Sequence, residues 1–248
     1  MVNLQGLYKF RDFFQSHTDK YVLIGGAACS IVFDEIGEDF RATKDLDVVL
    51  IVENISEDFG KAFWEFIRAA NYNGIETGEA QKQFYRFKNP DDPSYPKMIE
   101  LFSRVPDLPL LPHAHLTPVH IADDISSLSA ILLNDDYYAF LLSGRRIIDG
   151  LSVLDEKYLI PFKVKAWCEL SARRKAGEEG NSRHIRKHYR DVHKLLTLLP
   201  TNAKVPLPDQ LKADMQEFID GIEADEIMSE DIDNAALGRR LSEIYLAE

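Results

Sequence analysis

One stretch restricts the fold of this chain more than any other: YVLIGGAACSIVFDEIGEDFRATKDLDVVL, residues 21–50. An apolar run, Tyr21 to Ile24, meets Gly25-Gly26. The pattern predicts a strand, then a short helix running through about Phe33, then a loop over Gly37–Phe40. Arg41-Ala42-Thr43-Lys44-Asp45-Leu46-Asp47 leads into a second strand over Asp45–Val52. A Gly-Gly turn feeding a helix lets a phosphate approach the backbone closely, and the first N–H groups of the helix favour negative charge. Asp45 and Asp47 are two apart, so on a strand they share one face with Cα atoms roughly 6.5–7 Å apart. Two carboxylates that close repel each other unless a cation or protons lie between them. A phosphate turn beside paired carboxylates points to nucleotide chemistry with Mg²⁺, or Mn²⁺ in its place.

Composition limits the alternatives. The 248 residues are 45% hydrophobic and 28% charged, as expected of an ordinary globular chain with room for one large or two small domains. No apolar run approaches the roughly 18 residues that read as a membrane span. Charges interleave the apolar residues of MVNLQGLYKFRDFF, unlike a signal peptide. Cys29 and Cys168 are the only cysteines and form no CxxC pair, which argues for a reducing cytoplasm and against a zinc site. The net charge of −12 argues against a broad electrostatic nucleic-acid binder. Between Lys163 and Lys194, however, ten Lys/Arg stand against four Asp/Glu, a local +6, leaving −18 for the rest of the chain.

Around the opening stretch, residues 4–15 place Leu4, Leu7, Tyr8 and Phe14 at helical spacing. Ser56 is placed to cap a helix whose stripe is Phe59, Ala62, Phe63, Phe66, Ile67 and Ala70, with Trp64 off the stripe. Asn73-Gly74 reads as the end of that unit. Gln83–Lys88 and Lys97–Ser103 read as two arms of a hairpin about the turn NPDDPSYP. Glu100 is the only acidic residue in the second arm. Pro106–Pro118 reads as a proline-rich connection. Its His113 and His115 lack further ligands nearby and read as loop histidines. A strand over Ser126–Leu133, a helix from Asn134-Asp135 to about Ser143, and strands over Arg145–Asp149 and Leu151–Leu154 follow. From Asp155 onward the pattern is helical: 156–175, then 182–199 with the basic cluster Arg183–Arg190, then two acidic helices beyond about Pro208 whose stripe includes Met215, Phe218, Ile219 and Ile222.

The segments GGAAC and RATKDLDVVL resemble those of the AbiEii-type bacterial toxins, within the nucleotidyltransferase superfamily of DNA polymerase β. Those proteins also carry a later Lys three residues before an Ala and an Arg-Asp on a following helix. Here FKVKA places Lys163 three before Ala166, and YRDVHKL gives Arg190-Asp191. The family often continues Arg-Asp-x-x-Asp, and Lys194 stands at the second acidic place. The likeness spans roughly Tyr21 to Leu196 and leaves the acidic tail outside it. It implies an α+β fold: a nucleotidyltransferase mixed sheet with flanking helices over residues 1–154, followed by a helical domain over 155–248.

The resemblance also implies site residues. Asp45, Asp47 and a third acid on a neighbouring strand, Glu100, would hold Mg²⁺. Gly25, Gly26, Arg41, Thr43 and Lys44 would lie against the triphosphate of ATP, GTP or CTP, and Lys163 and Asp191 would complete the catalytic set. The implied reaction moves a nucleoside monophosphate from an NTP to an acceptor hydroxyl. In studied relatives the acceptor is the 3′ end of tRNA, in a toxin controlled by a cognate antitoxin. The basic cluster suits an RNA acceptor. A hydroxyl on a protein, a small molecule, and a catalytically inactive nucleotide-binding module are the competing readings.

Overall fold

The computed structural model describes residues 4–78, 84–104, 117–119, 131–132, 134–178, 180, 182–224 and 232–247. The chain forms two compact units: Met1–Ala122 with Arg145–Asp155, and Asp123–Gly144 with Glu156–Glu248.

The first unit is built on a mixed sheet of strands β1 (Tyr21–Ile24), β2 (Asp45–Leu50), β3 (Tyr72–Gly78), β4 (Phe84–Pro90), β5 (Met98–Phe102), β6 (Thr117–Val119), β7 (Arg145–Ile148) and β8 (Leu151–Leu154). Their order is β6-β3-β4-β5-β2-β1-β8-β7. β2 runs antiparallel to β1 and parallel to β5, and β5 is antiparallel to β4. The helices are α1 (Leu7–Phe14), α2 (Gly25–Glu35) and α3 (Glu57–Ala70). With the helical unit described below, this is the α+β architecture expected.

The local causes are readable. All four residues of β1 are buried, as is the Val48–Leu50 end of β2, so neither shows alternation. Ser56 Oγ accepts from the Phe59 N–H at 3.3 Å and starts α3. The helix then buries Phe59, Phe63, Phe66, Ile67 and Ala70. Off the stripe, Trp64 meets Phe87 of β4 edge-on at 6.0 Å. From α1, Phe10 and Phe14 close an aromatic core with Phe59, Phe63, Phe66 and Tyr21. Phe10 is buried where Tyr8, of the expected stripe, is exposed.

Three expectations are corrected. Asn73-Gly74 does not end the α3 unit, because β3 begins at Tyr72. Asn71 caps α3 in the left-handed region, φ 48°, which turns the chain at once. Asp91, beyond the end of β4, accepts from both Asn71 and Asn73 and fixes the strand there. Secondly, the connection expected over Pro106–Pro118 ends in β6, which pairs with β3; His113 and His115 lie outside the described residues. Thirdly, of the strand expected over 126–133, only Ile131 and Leu132 are described, and both are helical. The strands about Gly150 are present as β7 and β8. They extend the sheet beside β1 through an Asp149-Gly150 turn with both φ positive, 46° and 78°.

The second unit contains α4 (Asp135–Ser143), α5 (Glu156–Lys175), α6 (Ser182–Leu196), α7 (Asp209–Ala224) and α8 (Asn234–Leu241). Asn134 Oδ1 accepts from the Asp136 and Tyr137 N–H groups and starts α4. Pro161 lies inside α5 and has no N–H to give the Lys157 carbonyl four residues back. The hydroxyl of Tyr245 donates to that carbonyl instead, at 2.7 Å. Met215, Phe218 and Ile222 of α7 are fully buried. Buried Asp214 accepts from Tyr137 of α4 at 2.8 Å and from Lys165 of α5 at 3.0 Å. The acidic tail is therefore part of this unit's core. Among the described residues, no helix is long and apolar enough to cross a membrane.

Candidate functional site

The register of the sheet sets one row of side chains across three strands. Arg86 of β4 pairs with Glu100 of β5, Glu100 pairs with Asp47 of β2, and Asp47 pairs with Ile24, the last residue of β1. Partners in register point to the same face. The next residue after Ile24 is Gly25, which starts α2 with φ +66°. Its Cα lies hard against the Asp47 carboxylate: a Cβ there would come within 1.8 Å of Oδ2. At Gly26 a Cβ would stand 2.8 Å from Thr43 Oγ1 and 3.6 Å from Arg41 Nη2. Both glycines are thus required by contact, and they bring the two halves of the opening motif together at the start of α2.

Arg41 is half-buried, with its guanidinium 5.3 Å from the Phe40 ring, and Phe40 rests on Phe33 of α2 at 5.1 Å. That stack holds the loop against α2. Lys44 is exposed. Asp45 and Asp47 are half-buried at the opening end of β2, whereas Glu100 is only 7% exposed. Arg86 grips Glu100 Oε1 with two N–H groups, Nε at 2.9 Å and Nη2 at 2.8 Å. Burial pushes the Glu100 carboxyl up to about 9, the Asp47 charge and hydrogen bond push the same way, Arg86 opposes them, and Asp45 adds a little. The site is crowded with negative charge that one arginine only partly offsets.

The structure therefore joins Gly25, Gly26, Arg41, Thr43, Asp47 and Glu100 around one helix start, with Asp45 on the same face of β2 as Asp47. Lys163 and Asp191 lie in the helical unit and pair with each other at 3.0 Å, 5% and 2% exposed, tying α5 to α6. Sequence spacing alone does not single out Arg86. The hairpin carries the signal, since an Arg on one arm faces the lone acid of the other, but the register is readable only once the turn is fixed.

Mg²⁺ takes hard oxygen ligands, with one or two carboxylates plus substrate phosphates sufficing. Asp45 and Asp47 meet that description beside the start of α2. Among the described residues, no three His, Cys, Asp or Glu are grouped so as to hold a metal by themselves. The fit is that of a two-carboxylate site completed by substrate.

No known protein family and no curated protein matches the sequence. Several solved structures are similar in fold, among them the following two. One is an antigenic nucleotidyltransferase-like protein from Paracoccidioides brasiliensis, at 12% identity over 98% of this chain and 96% of that one, TM-score 0.47. The other is a putative nucleotidyltransferase from H. pylori, at 13% identity over 94% and 88%, TM-score 0.33. At those TM-scores neither likeness bears on the chemistry, which rests on the side chains around Gly25 and Asp47.

Proposed function

We propose that this chain is a Mg²⁺-dependent nucleotidyltransferase that moves a nucleoside monophosphate from an NTP to a hydroxyl of RNA. The observation that carries the reading is the contact of Gly25 with the Asp47 carboxylate. It puts a helix start, suited to phosphate, and a carboxylate pair, suited to a hard cation, in one place.

In this reading the backbone N–H groups at Gly25 and Gly26 and the Thr43 hydroxyl orient the triphosphate. Arg41 neutralises phosphate charge from its seat on Phe40, and Lys44 adds an exposed cation. Asp45 and Asp47 hold the metal. Bound Mg²⁺ would polarise the phosphate oxygens and stabilise the attacking and leaving oxygens. The acceptor hydroxyl attacks the α-phosphorus in line and gives up its proton to water, the bond between the α-phosphorus and the bridging oxygen breaks, and pyrophosphate leaves with the electron pair. Lys163 holds α5 against α6 through its buried pair with Asp191.

Support for RNA as acceptor comes from α6. Arg183, Arg186 and Arg190 are exposed and spaced three and four apart, so they form one ridge. A cation ridge in an otherwise acidic chain matches a phosphodiester backbone. A toxin role with an antitoxin partner is part of the proposal and rests on the motif resemblance alone.

The test is incubation of total RNA with each of the four α-labelled NTPs and Mg²⁺. RNA labelling is expected with at least one NTP, falling about 1,000-fold or more in Asp47→Asn, since removing a group that stabilises transition-state charge costs on this order. No labelling with any NTP, or equal labelling by Asp47→Asn, overturns the reading.

A further inference from the structure

Where β2, β5 and β4 run side by side, the sheet has two unlike faces. One is core: Leu46 and Val48 of β2, Ile99 and Leu101 of β5, and Tyr85 and Phe87 of β4 are each at most 2% exposed. Phe87 there meets Phe63 and Trp64 of α3. Alternation puts Asp45, Asp47, Met98, Glu100, Arg86 and Lys88 on the opposite face. The contacts of Arg86 with Glu100 and of Gly25 with Asp47 agree with that. Apart from Glu100, these six side chains are half-buried. Register arranges them in two rows: Asp47–Glu100–Arg86, and Asp45–Met98–Lys88 one step nearer the start of β2. Adjacent strands are about 4.8 Å apart, so Lys88 stands roughly 10 Å across the sheet from Asp45, with Met98 the uncharged step between them.

The order of strands gives this face a direction. From one side to the other run β1, β2, β5 and β4, and α2 starts directly after β1. With the triphosphate at the start of α2 and the α-phosphorus over the β2 carboxylates, pyrophosphate leaves toward β1. In-line displacement needs the attacking oxygen on the far side of phosphorus from the leaving oxygen. The acceptor therefore arrives over β5 and β4. An RNA backbone coming from that side meets three carboxylates, Asp45, Asp47 and Glu100, and needs a cation beside them. Arg86 gives two N–H groups to Glu100. Lys88, two residues further along β4, carries its charge on a flexible four-carbon stem that reorients among partners.

Resting on the nucleotidyltransferase reading above, we propose that Lys88 is an acceptor-binding residue: its ammonium group pairs with a backbone phosphate of the RNA beside the attacking hydroxyl. The donor triphosphate is left to Gly25, Gly26, Arg41 and Thr43. The two substrates are thus held by cations and N–H groups on opposite sides of the β2 carboxylates.

Steady-state labelling of total RNA with Lys88→Met separates acceptor from donor. The KM for RNA is expected to rise about tenfold, the worth of one charge-assisted contact, with kcat and the KM for NTP within about twofold of the unchanged protein. The salt dependence should flatten by about 0.7 in log–log slope, one phosphate of a single strand. Lys88→Arg keeps the charge and is expected to hold the KM for RNA within about threefold. A lysine that only supports the sheet gives no such division between the two substrates. Acetylation of lysines in the unchanged protein, read by mass spectrometry, tests the same contact without turnover or substitution. Total RNA should slow acetylation of Lys88 about fivefold, and NTP with Mg²⁺ should leave it unaltered.

A rise in the KM for NTP, alone or together with that for RNA, places Lys88 against the triphosphate and overturns the assignment. An unmoved KM for RNA, or equal acetylation of Lys88 with and without RNA, overturns it as well. If RNA labelling by the unchanged protein is lost in Asp47→Asn while Lys88→Met leaves the KM for RNA unmoved, only this assignment falls. If the unchanged protein labels no RNA, the nucleotidyltransferase reading falls and takes this one with it.

Discussion

Gly25 illustrates how little tolerance the site has at the level of single atoms. Its φ of +66° belongs to the left-handed region, and its missing side chain is the space that the Asp47 carboxylate uses. Gly25→Ala adds a methyl where an oxygen already stands, so Asp47 must rotate away. The expected result is loss of nucleotidyl transfer by about 100-fold, as small misplacements of a reacting group cost on that scale. Far-UV circular dichroism should be unchanged, and steady-state labelling of RNA is the measurement. Gly-Gly is legible in the sequence as a phosphate turn. Its second purpose, making room for a carboxylate from another strand, is not, because that approach depends on antiparallel pairing of β1 with β2. Glu100 is legible as an acid out of place in an apolar strand, and its arginine partner is hidden in a register that sequence spacing does not give.

At the level of elements, strands and helices with strong local patterns stand where the sequence places them. β1 has the bounds Tyr21–Ile24, α3 begins at its serine cap, and the NPDDPSYP turn joins β4 to β5. β3 escapes a reading of the sequence because Tyr72-Asn73-Gly74-Ile75-Glu76-Thr77-Gly78 has neither alternation nor an apolar run. It becomes a strand through tertiary pairing with β4 and the Asp91 clamp. Helix α5 shows the same principle in reverse. Pro161 is a poor residue for a helix interior, and the helix continues through it because Tyr245 supplies the donor that proline lacks. Tyr245→Phe should therefore destabilise the protein by about 1 kcal/mol, the cost of leaving a part-buried carbonyl short of a partner. Urea denaturation reads the loss. In a Pro161→Ala background, where a backbone N–H returns, the same substitution should cost measurably less.

Charge is the property of the whole molecule most relevant to function. The region from Lys163 to Lys194 carries +6, within a chain of net −12. The acidic balance would hold nucleic acid off most surfaces, so binding by the α6 ridge should depend on few phosphates. Replacement of Arg183, Arg186 and Arg190 by Gln should flatten the salt dependence of RNA labelling by about two units in log–log slope, near 0.7 for each phosphate of a single strand that is no longer neutralised. A protein or small-molecule acceptor predicts no change in that slope. The hydrogen bond between Tyr245 and Lys157 also has a bearing on how the protein comes to exist. Its two residues are 88 positions apart. During synthesis Lys157 emerges first, with Pro161 behind it, and the donor its carbonyl needs is translated only much later. The early turns of α5 therefore wait, hydrated, for the α7–α8 region to arrive. The Lys157 carbonyl thus gains its protein partner only when the C-terminal turn that carries Tyr245 packs against α5, so truncation before Tyr245 should weaken α5 near Pro161.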